Sequence, residues 1–303
     1  MTDLELTARE SRLAKAGAEI QQEIWGDIAF NHSLLCQVNL PYRNPGDDVR
    51  EYMRTTGKVS LHLQAGSILT PGARRPWQKV GLPYGPRARL LLLHLCSLAV
   101  KQQSPIVETE ASFTAFCRSL GIATNGRNQK TVRDQINRMS AVSMRLGWSE
   151  GHQMMVFQGV IFEAIKAVFT PHPDQVPIWS SEVRFSPRFY KSLSEHAVPL
   201  DVRAIKAIRH SARALDVYCW LASRLWRVQK PTRIRWTSLQ YQFGSPSQDR
   251  RSFKNAFRRA LNQVLAVYPK ARVDYIRGGL ILRNSPPPID FKDGGPQLMI
   301  GKD

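Results

Sequence analysis

The chain has 303 residues, 43% apolar and 22% charged, proportions of a globular protein with room for more than one core, so two domains are expected. Forty-three lysines and arginines face 24 acidic residues, giving a net charge of +19 and a pI near 10.3, and this imbalance points to a polyanionic partner, nucleic acid ahead of a membrane surface. No run approaches the roughly 18 apolar residues of a membrane-spanning helix. The acidic start, MTDLELTARE, lacks the basic segment of a secretory leader, so the expectation is a cytoplasmic protein with no membrane partner.

The excess charge is unevenly spread. Residues 1–80 carry a net +1, 81–160 carry +5 and 161–303 carry +13, which places the polyanion on the C-terminal half. Residues 3–24 are rich in Ala, Glu, Gln and Leu, with Leu6, Leu13, Ile20 and Ile24 as a narrow stripe, and predict a peripheral helical arm over 1–29. From Leu34 to Leu69 the runs LLCQVNL, KVSLHLQAG and SILT alternate with turn residues such as Asn44-Pro45-Gly46 and read as strands and turns. Arg87–Val100 reads as a buried helix entered through Pro83 and Pro86. Further helices follow over Ser112–Leu120, stopped by Gly121, and over about Asn128–Ser140, with Val132, Ile136 and Met139 on one face. SMRLGW, a turn at Ser149-Glu150-Gly151 and QMMVFQGV then form a hairpin. Three helices and a hairpin is the order of a winged helix.

The order returns after a proline-rich linker at Pro171–Pro177. Val176–Phe185 reads as a strand, Pro187–Leu193 as a short helix and Ser211–Arg227 as a long one. Arg233–Trp236 is a short strand, Thr237 caps a helix that ends at Gly244, and Asp249–Val267 is the next helix. Ala271–Ile276 and Leu280–Leu282 flank a glycine turn, and Pro286–Pro288 end the pattern. The fold class expected is α+β with tandem winged-helix domains: a first at 30–165, a second at 166–290 and a tail at 291–303.

In the helix Asp249–Val267, Phe253, Phe257, Ala260, Leu261 and Val264 share one face. The opposite face collects Arg251, Asn255, Arg258 and Asn262, flanked by Arg250, Lys254 and Arg259, and carries no acid. Arginine can pair with guanine and asparagine with adenine through two hydrogen bonds each, which is what reading the major groove requires. Arg272, Arg277 and Arg283 on the following hairpin stand where a wing meets backbone or minor groove. A basic face that is merely solvated is the alternative, but charge, phasing, the preceding helix and the wing agree against it. In the first unit Arg127, Lys130, Arg133 and Arg138 form a weaker secondary DNA-binding set, because Asp134 interrupts it and would repel phosphate; protein–protein association fits that unit better.

Cys36, Cys96, Cys117 and Cys219 are far apart and read as buried thiols. His94 and Cys96 make the one close pair of possible ligands, so no metal is expected. No phosphate-binding glycine loop, no histidine pair beside a nicking tyrosine and no carboxylate cluster is found, and Asp47-Asp48 reads as a solvated turn. Neither an enzyme nor a cofactor is expected.

From GLPYGPRARLLLLHLCSLAV onward the chain resembles the plasmid-encoded RepA-type replication initiators, which share a P-Y-G-x-x-x-R-L-L-L opening. The likeness continues through WSSEVRFSPRFY, VPLDVRAIKAI, ALDVYCWLASRL, IRWTSLQYQFGS and RRSFKNAFRRALNQVLAVYPKARVDYIRGGLIL, and covers roughly residues 30–290. It implies binding to repeats in double-stranded plasmid origin DNA, local melting, and recruitment of the host initiator and replicative helicase. It also implies a monomer–dimer equilibrium, with dimerisation in the first winged unit and DNA contact in the second, and a bacterial, plasmid-associated location. One departure is ATNGRNQK at 123–130, where the family more often has a glycine pair. A winged-helix repressor, autoregulatory or not, shares the same DNA-binding features.

Overall fold

The computed structural model describes residues 7–22, 26–70, 74, 76–150, 153–157, 161–168, 179–245 and 248–289. The expected linker Pro171–Pro177, the turn residue Gly151 and the tail 291–303 lie outside these. The fold is α+β, with the chain dividing into two compact units. One joins residues 1–29 to 198–297 and is here called the split unit; the other is the nested unit, Phe30–Ala197. The boundaries therefore differ from those expected at 165 and 166.

The nested unit begins with β1 (Ile28–His32), whose first two residues still belong to the split unit, and continues with β2 (Glu51–Thr56), β3 (Val59–Gln64), β4 (Ser67–Leu69) and β5 (Trp77–Lys79). Then come α2 (Gly85–Lys101), β6 (Ile106–Glu108), α3 (Phe113–Ser119), α4 (Gly126–Ala141), β7 (Ser143–Glu150), β8 (Gln153–Phe157), β9 (Phe162–Val168), β10 (Trp179–Phe185) and α5 (Pro187–Glu195). LLCQVNL is not a strand: the Cys36 and Gln37 amides donate to the His32 and Leu34 carbonyls, making a turn. An antiparallel sheet in the order β2-β3-β7-β8 sets Leu61 opposite Leu146 and Leu63 opposite Met144, all buried, while alternate residues face out. The hairpin β7–β8 forms as expected, but Ser149 and Glu150, read as turn residues, belong to β7 and pair with Met154 and Gln153.

What the sequence reading placed across the domain boundary belongs here. β10 pairs with β6 and β9, and α5 packs on α2, so residues 179–197 complete this core and not the next one. The reason is antiparallel pairing over more than 70 residues of separation, Val183 against Val107, which no local pattern reports. α2 is buried nearly all round, as its apolar run requires. Gly85 opens it at φ +71°, a left-handed conformation suited to glycine, and Pro86 follows at the first turn. The buried Arg89 donates to the carbonyls of Leu40 (2.6 Å), Gly85 (2.8 Å) and Pro41 (3.2 Å), which accounts for the arginine of the P-Y-G-x-x-x-R segment. In ATNGRNQK, Asn125 caps α4 by accepting from the Asn128 amide, 2.9 Å, so the loop ends in a side-chain cap.

The split unit contains α1 (Ala8–Gln22), and, after β11 (Ala197–Asp201), α6 (Val202–Ile208), α7 (Ala212–Arg224), a 3₁₀ turn at Leu225–Arg227, β12 (Thr232–Arg235), α8 (Trp236–Phe243), α9 (Arg250–Val267), β13 (Val273–Ile276) and β14 (Gly279–Leu282). α1 is no peripheral arm. It packs on α6 and α9 with Leu13, Ala16 and Gly17 buried, and Arg12 Nε donates to the Ala207 carbonyl, 3.0 Å. Gly17 sits so close to the Ala266 carbonyl that any side chain would collide with it. The core is aromatic: Tyr218, Trp220, Phe243, Phe253, Phe257 and Tyr268 are fully buried, with Phe257 in contact with Trp236, Phe243 and Phe253. Arg235, not Thr237, occupies the N-cap of α8 and gives no side-chain hydrogen bond; the helix begins two residues earlier than expected, with the Trp236 amide donating to the Gly278 carbonyl.

All four cysteines are free and buried, and burial raises the Cys96 thiol pKa far above its ordinary value. No helix among the described residues is long and apolar enough to cross a membrane.

Candidate nucleic-acid interface

α9 takes its phase from its apolar stripe. Phe253, Phe257, Ala260, Leu261, Val264 and Val267 point into the core, and Asp249 fixes the start by accepting from the Ser252 amide, 2.9 Å. That bond, first among several, holds the Asp249 carboxyl below its usual pKa. Arg250, Arg251, Asn255, Arg258, Arg259 and Asn262 are then exposed, as the sequence phasing requires, with Lys254 half-buried. No acidic residue lies between Arg250 and Val267.

The face is organised by two aromatic rings. The Arg258 guanidinium lies over Trp236, 5.5 Å from the ring centre, and over Tyr275, 5.8 Å, while Lys254 Nζ lies over Trp236 at 5.8 Å. Stacking restricts Arg258 before any ligand arrives, lowering the entropy lost on binding. Tyr275, projecting from β13, also donates from its hydroxyl to Asn262 Oδ1, 2.7 Å. Asn262 is therefore engaged within the protein, and Arg251, Asn255 and Arg258 are the side chains of this face with the chemistry for base edges.

β12, β14 and β13 form an antiparallel sheet in that spatial order, β14 pairing with both neighbours. Gly279 is required at the start of β14, because a Cβ there would run into the Ile234 carbonyl. Arg272 and Arg277 are exposed on the hairpin. Arg283 is exposed but bound to Asp274, 2.8 Å, so its charge is partly neutralised. Three contributors escaped the sequence reading: Trp236 and Tyr275 as ring platforms, and the exposed pair Arg233 and Arg235 on β12. The Arg-Ile-Arg alternation was the available signal for the pair; for the rings there was none, since their contacts arise only when α8, α9 and β13 pack.

In the nested unit the secondary set divides. Arg127 and Lys130 are exposed on α4, and Arg133 is half-buried over the Phe113 ring, 4.8 Å. Arg138 is not a DNA-contacting residue: it is 6% exposed, bonds Asp134 and Asp47 at 2.9 Å each, and reaches the Leu82 carbonyl at 3.3 Å. Burial opposes its charge, but the two carboxylates outweigh burial and raise its pKa. Asp134 and Asp47 are therefore tied to Arg138, and Asp47 is not simply a solvated turn acid. Asp134 also accepts from Gln135 Nε2 (2.9 Å), whose Oε1 accepts from the Tyr84 amide (2.8 Å).

His94 is paired with Glu110, 2.8 Å, and approached by Ser119 Oγ, 3.4 Å. Both meet the same Nε2, whereas a nucleophilic relay needs each ring nitrogen to serve a different partner. Among the described residues no group of three or more His, Cys, Asp or Glu is placed to hold a metal ion.

The family described as plasmid encoded RepA protein matches residues 82–238, just over half of the chain. The chain belongs to that family. In this RepA-family chain the match runs from the start of the α2 segment into α8, and so stops before α9 and the hairpin. Two solved structures are similar in fold: selenomethionine derivatives of domain 2 and domain 3 of RctB, at TM-score 0.51 and 13% identity over 83% of this chain and 96% of that one, and the RctB domains 2-3, at TM-score 0.50 and 13% identity over 82% and 94%. No curated protein matches the RepA-family chain.

Proposed function

We propose that this RepA-family chain is a plasmid replication initiator that binds repeated sequences in the plasmid origin, promotes local melting and recruits the host initiator and replicative helicase. The observation that carries the DNA-binding part is the outer face of α9, basic, free of acid and with Arg258 held between two rings. We read β12, α8, α9 and the hairpin β13–β14 as a winged helix in which α9 enters the major groove and Arg272 and Arg277 meet the backbone. We read α2, α3, α4 and β7–β8 as a second such unit, serving self-association, with Arg127 and Lys130 as accessory phosphate contacts. The role is one of binding and assembly, without catalysis or cofactor.

The test uses the intact protein on origin DNA and on random duplex. Native protein is expected to prefer origin repeats, and Asn255→Ala to lose about tenfold of that preference, within the range for one lost two-bond base contact. Arg272→Ala is expected to weaken both DNAs alike and to flatten the salt dependence. A plasmid carrying the origin but lacking the gene should replicate when the protein is supplied in trans. Failure there with origin binding intact would leave an autoregulatory repressor as the reading.

A further inference from the structure

The hairpin β4–β5 of the nested unit is anchored at its base, while Leu69, Arg74 and Trp77 farther out are exposed. Arg50 donates to the carbonyls of Val80 (2.6 Å), Ala65 (2.7 Å) and Gly66 (2.8 Å), so one guanidinium ties the entering and leaving strands together. The Val80 amide donates to Gly66, 3.1 Å, and the Thr70 amide to Pro76, 2.7 Å, closing the ladder at both ends. Gly66 lies against the Ala141 carbonyl at the end of α4, where any side chain would collide. Each strand is only three residues long, too short to be stable without such anchoring.

Beyond the base the hairpin adds little to the core. Leu69 and Trp77 stand directly opposite each other and are 52% and 66% exposed. Strand alternation puts Lys79, also exposed, on the same face. Such a pair left in water on an anchored arm is a contact surface. Its charge identifies the partner: residues 65–81 contain Arg74, Arg75 and Lys79 and no acid, and Arg74 and Lys79 are exposed. In space Asp47 lies against Gly81 at the base and is paired with Arg138; apolar side chains flanked by cations along the hairpin itself suit a ligand that offers flat apolar faces within a frame of negative charge, which is the chemistry of DNA bases between phosphates.

The geometry points to β4–β5 as a further DNA-contacting element, in which Trp77 and Leu69 press against the edge of a base stack and Lys79 and Arg74 meet the flanking phosphates. The accessible edge is either a kinked duplex step or an unpaired strand, with the same contacts to both. This inference rests on the proposed DNA-binding role and assigns a contact to the unit that does not carry α9.

The intact chain and its Trp77→Ala, Trp77→Phe, Leu69→Ala, Lys79→Ala and Arg258→Ala variants would be titrated, by fluorescence anisotropy, into three DNAs: an origin duplex, that duplex with a run of unpaired thymines, and a single strand of equal length. Both apolar side chains are exposed, so the variants should melt at the native temperature. Trp77→Ala is expected to weaken binding to at least one DNA about tenfold, Trp77→Phe to retain most of it, and Lys79→Ala to lower the salt slope by about one; the DNA that loses most identifies the source of the bases. Unchanged affinity of Trp77→Ala and Leu69→Ala for all three DNAs, beside a loss in Arg258→Ala, overturns the hairpin contact while leaving α9 in place. The same unchanged affinity with altered sedimentation overturns it in favour of self-association. If the native chain binds none of the three, the DNA-binding reading itself fails.

Discussion

At the scale of single residues, the difference between a charge on a helix face and a charge available to DNA comes from its neighbours. Arg138 and Arg258 look alike in sequence, each with an apolar residue nearby in its helix. One is closed in by Asp134, Asp47 and Leu82, the other is stacked between rings and open to solvent. Arg138→Ala should therefore remove the cation shared by Asp134 and Asp47 and lower the melting temperature, by an amount equivalent to about 1–2 kcal/mol, since both carboxylates stay solvated and the loss is of ion pairing and of the packing of the buried stem, with DNA affinity per folded molecule unchanged. Arg258→Lys should keep the charge and still lose much of the sequence preference, because an ammonium cannot hold the planar two-bond geometry; a binding curve equal to native on origin DNA would refute the stacked-arginine role.

His32 supplies a pH dependence at the same scale. It is 1% exposed, accepts from the Leu34 amide at Nδ1, 3.1 Å, and meets Ser192 Oγ at Nε2, 2.9 Å. Burial first, and His196 second, lower its pKa from 6.5 to about 3. The unfolded chain thus takes up a proton near pH 6.5 that the folded chain refuses, so the stabilisation is complete above pH 6.5 and declines as pH falls towards 3, at up to about 1.4 kcal/mol per unit. His32→Gln should flatten that part of the stability curve; an unaltered slope between pH 6 and 4 would show that the loss comes from other groups.

At the scale of elements, helices with a complete local code were legible and pairings were not. The stripe of α9, the Pro86 entry of α2 and the extent of α3, read as Ser112–Leu120 and found as Phe113–Ser119 with Ser112 as its cap, all depend on residues within a turn or two, and each was placed to within a few residues. β6 and β9, three and seven residues long, gain their identity from pairing with β10, and α6, seven residues long, has a local cap in Asp201 but is held by packing with α1, α7 and α9. The hairpin β13–β14 shows both cases. Its glycine turn was visible as Gly278-Gly279, but that Gly279 must lack a side chain because β14 passes the Ile234 carbonyl was not. Gly279→Ala is expected to separate β14 from β12, lowering thermal stability and binding to all DNAs together. Tyr275→Phe, by contrast, should release Asn262 and leave the melting temperature within about 2 °C, with the effect read in the base preference opposite Asn262.

At the scale of the whole molecule, the excess of positive charge and the acid-free helix α9 both fall in the C-terminal half, but boundaries drawn in chain order divided a core. Cutting near residue 165 would strip β10 and α5 from the nested unit and α1 from the split unit. A fragment of 30–197 is expected to unfold cooperatively by itself. A fragment of 165–303 should melt at a lower temperature than the intact split unit, exposing the α6 and α9 surfaces that α1 covers, and adding a peptide of residues 7–22 should raise that temperature. Equal melting of 165–303 with and without the peptide would mean that α1 is dispensable.

The interrupted chain of the split unit also sets an order of events during synthesis. α1 is made first, but at 15 residues it is too short to persist alone in water, and its partner α9 begins more than 220 residues later. At roughly 5–20 residues per second, translation leaves α1 waiting on the order of 10–45 s, while the nested unit, contiguous in the chain, can fold as it emerges. A ribosome that stalls or terminates between Ala197 and Arg250 would thus release a folded nested unit lacking the basic helix, a product with the nested unit's surfaces and without the α9 face.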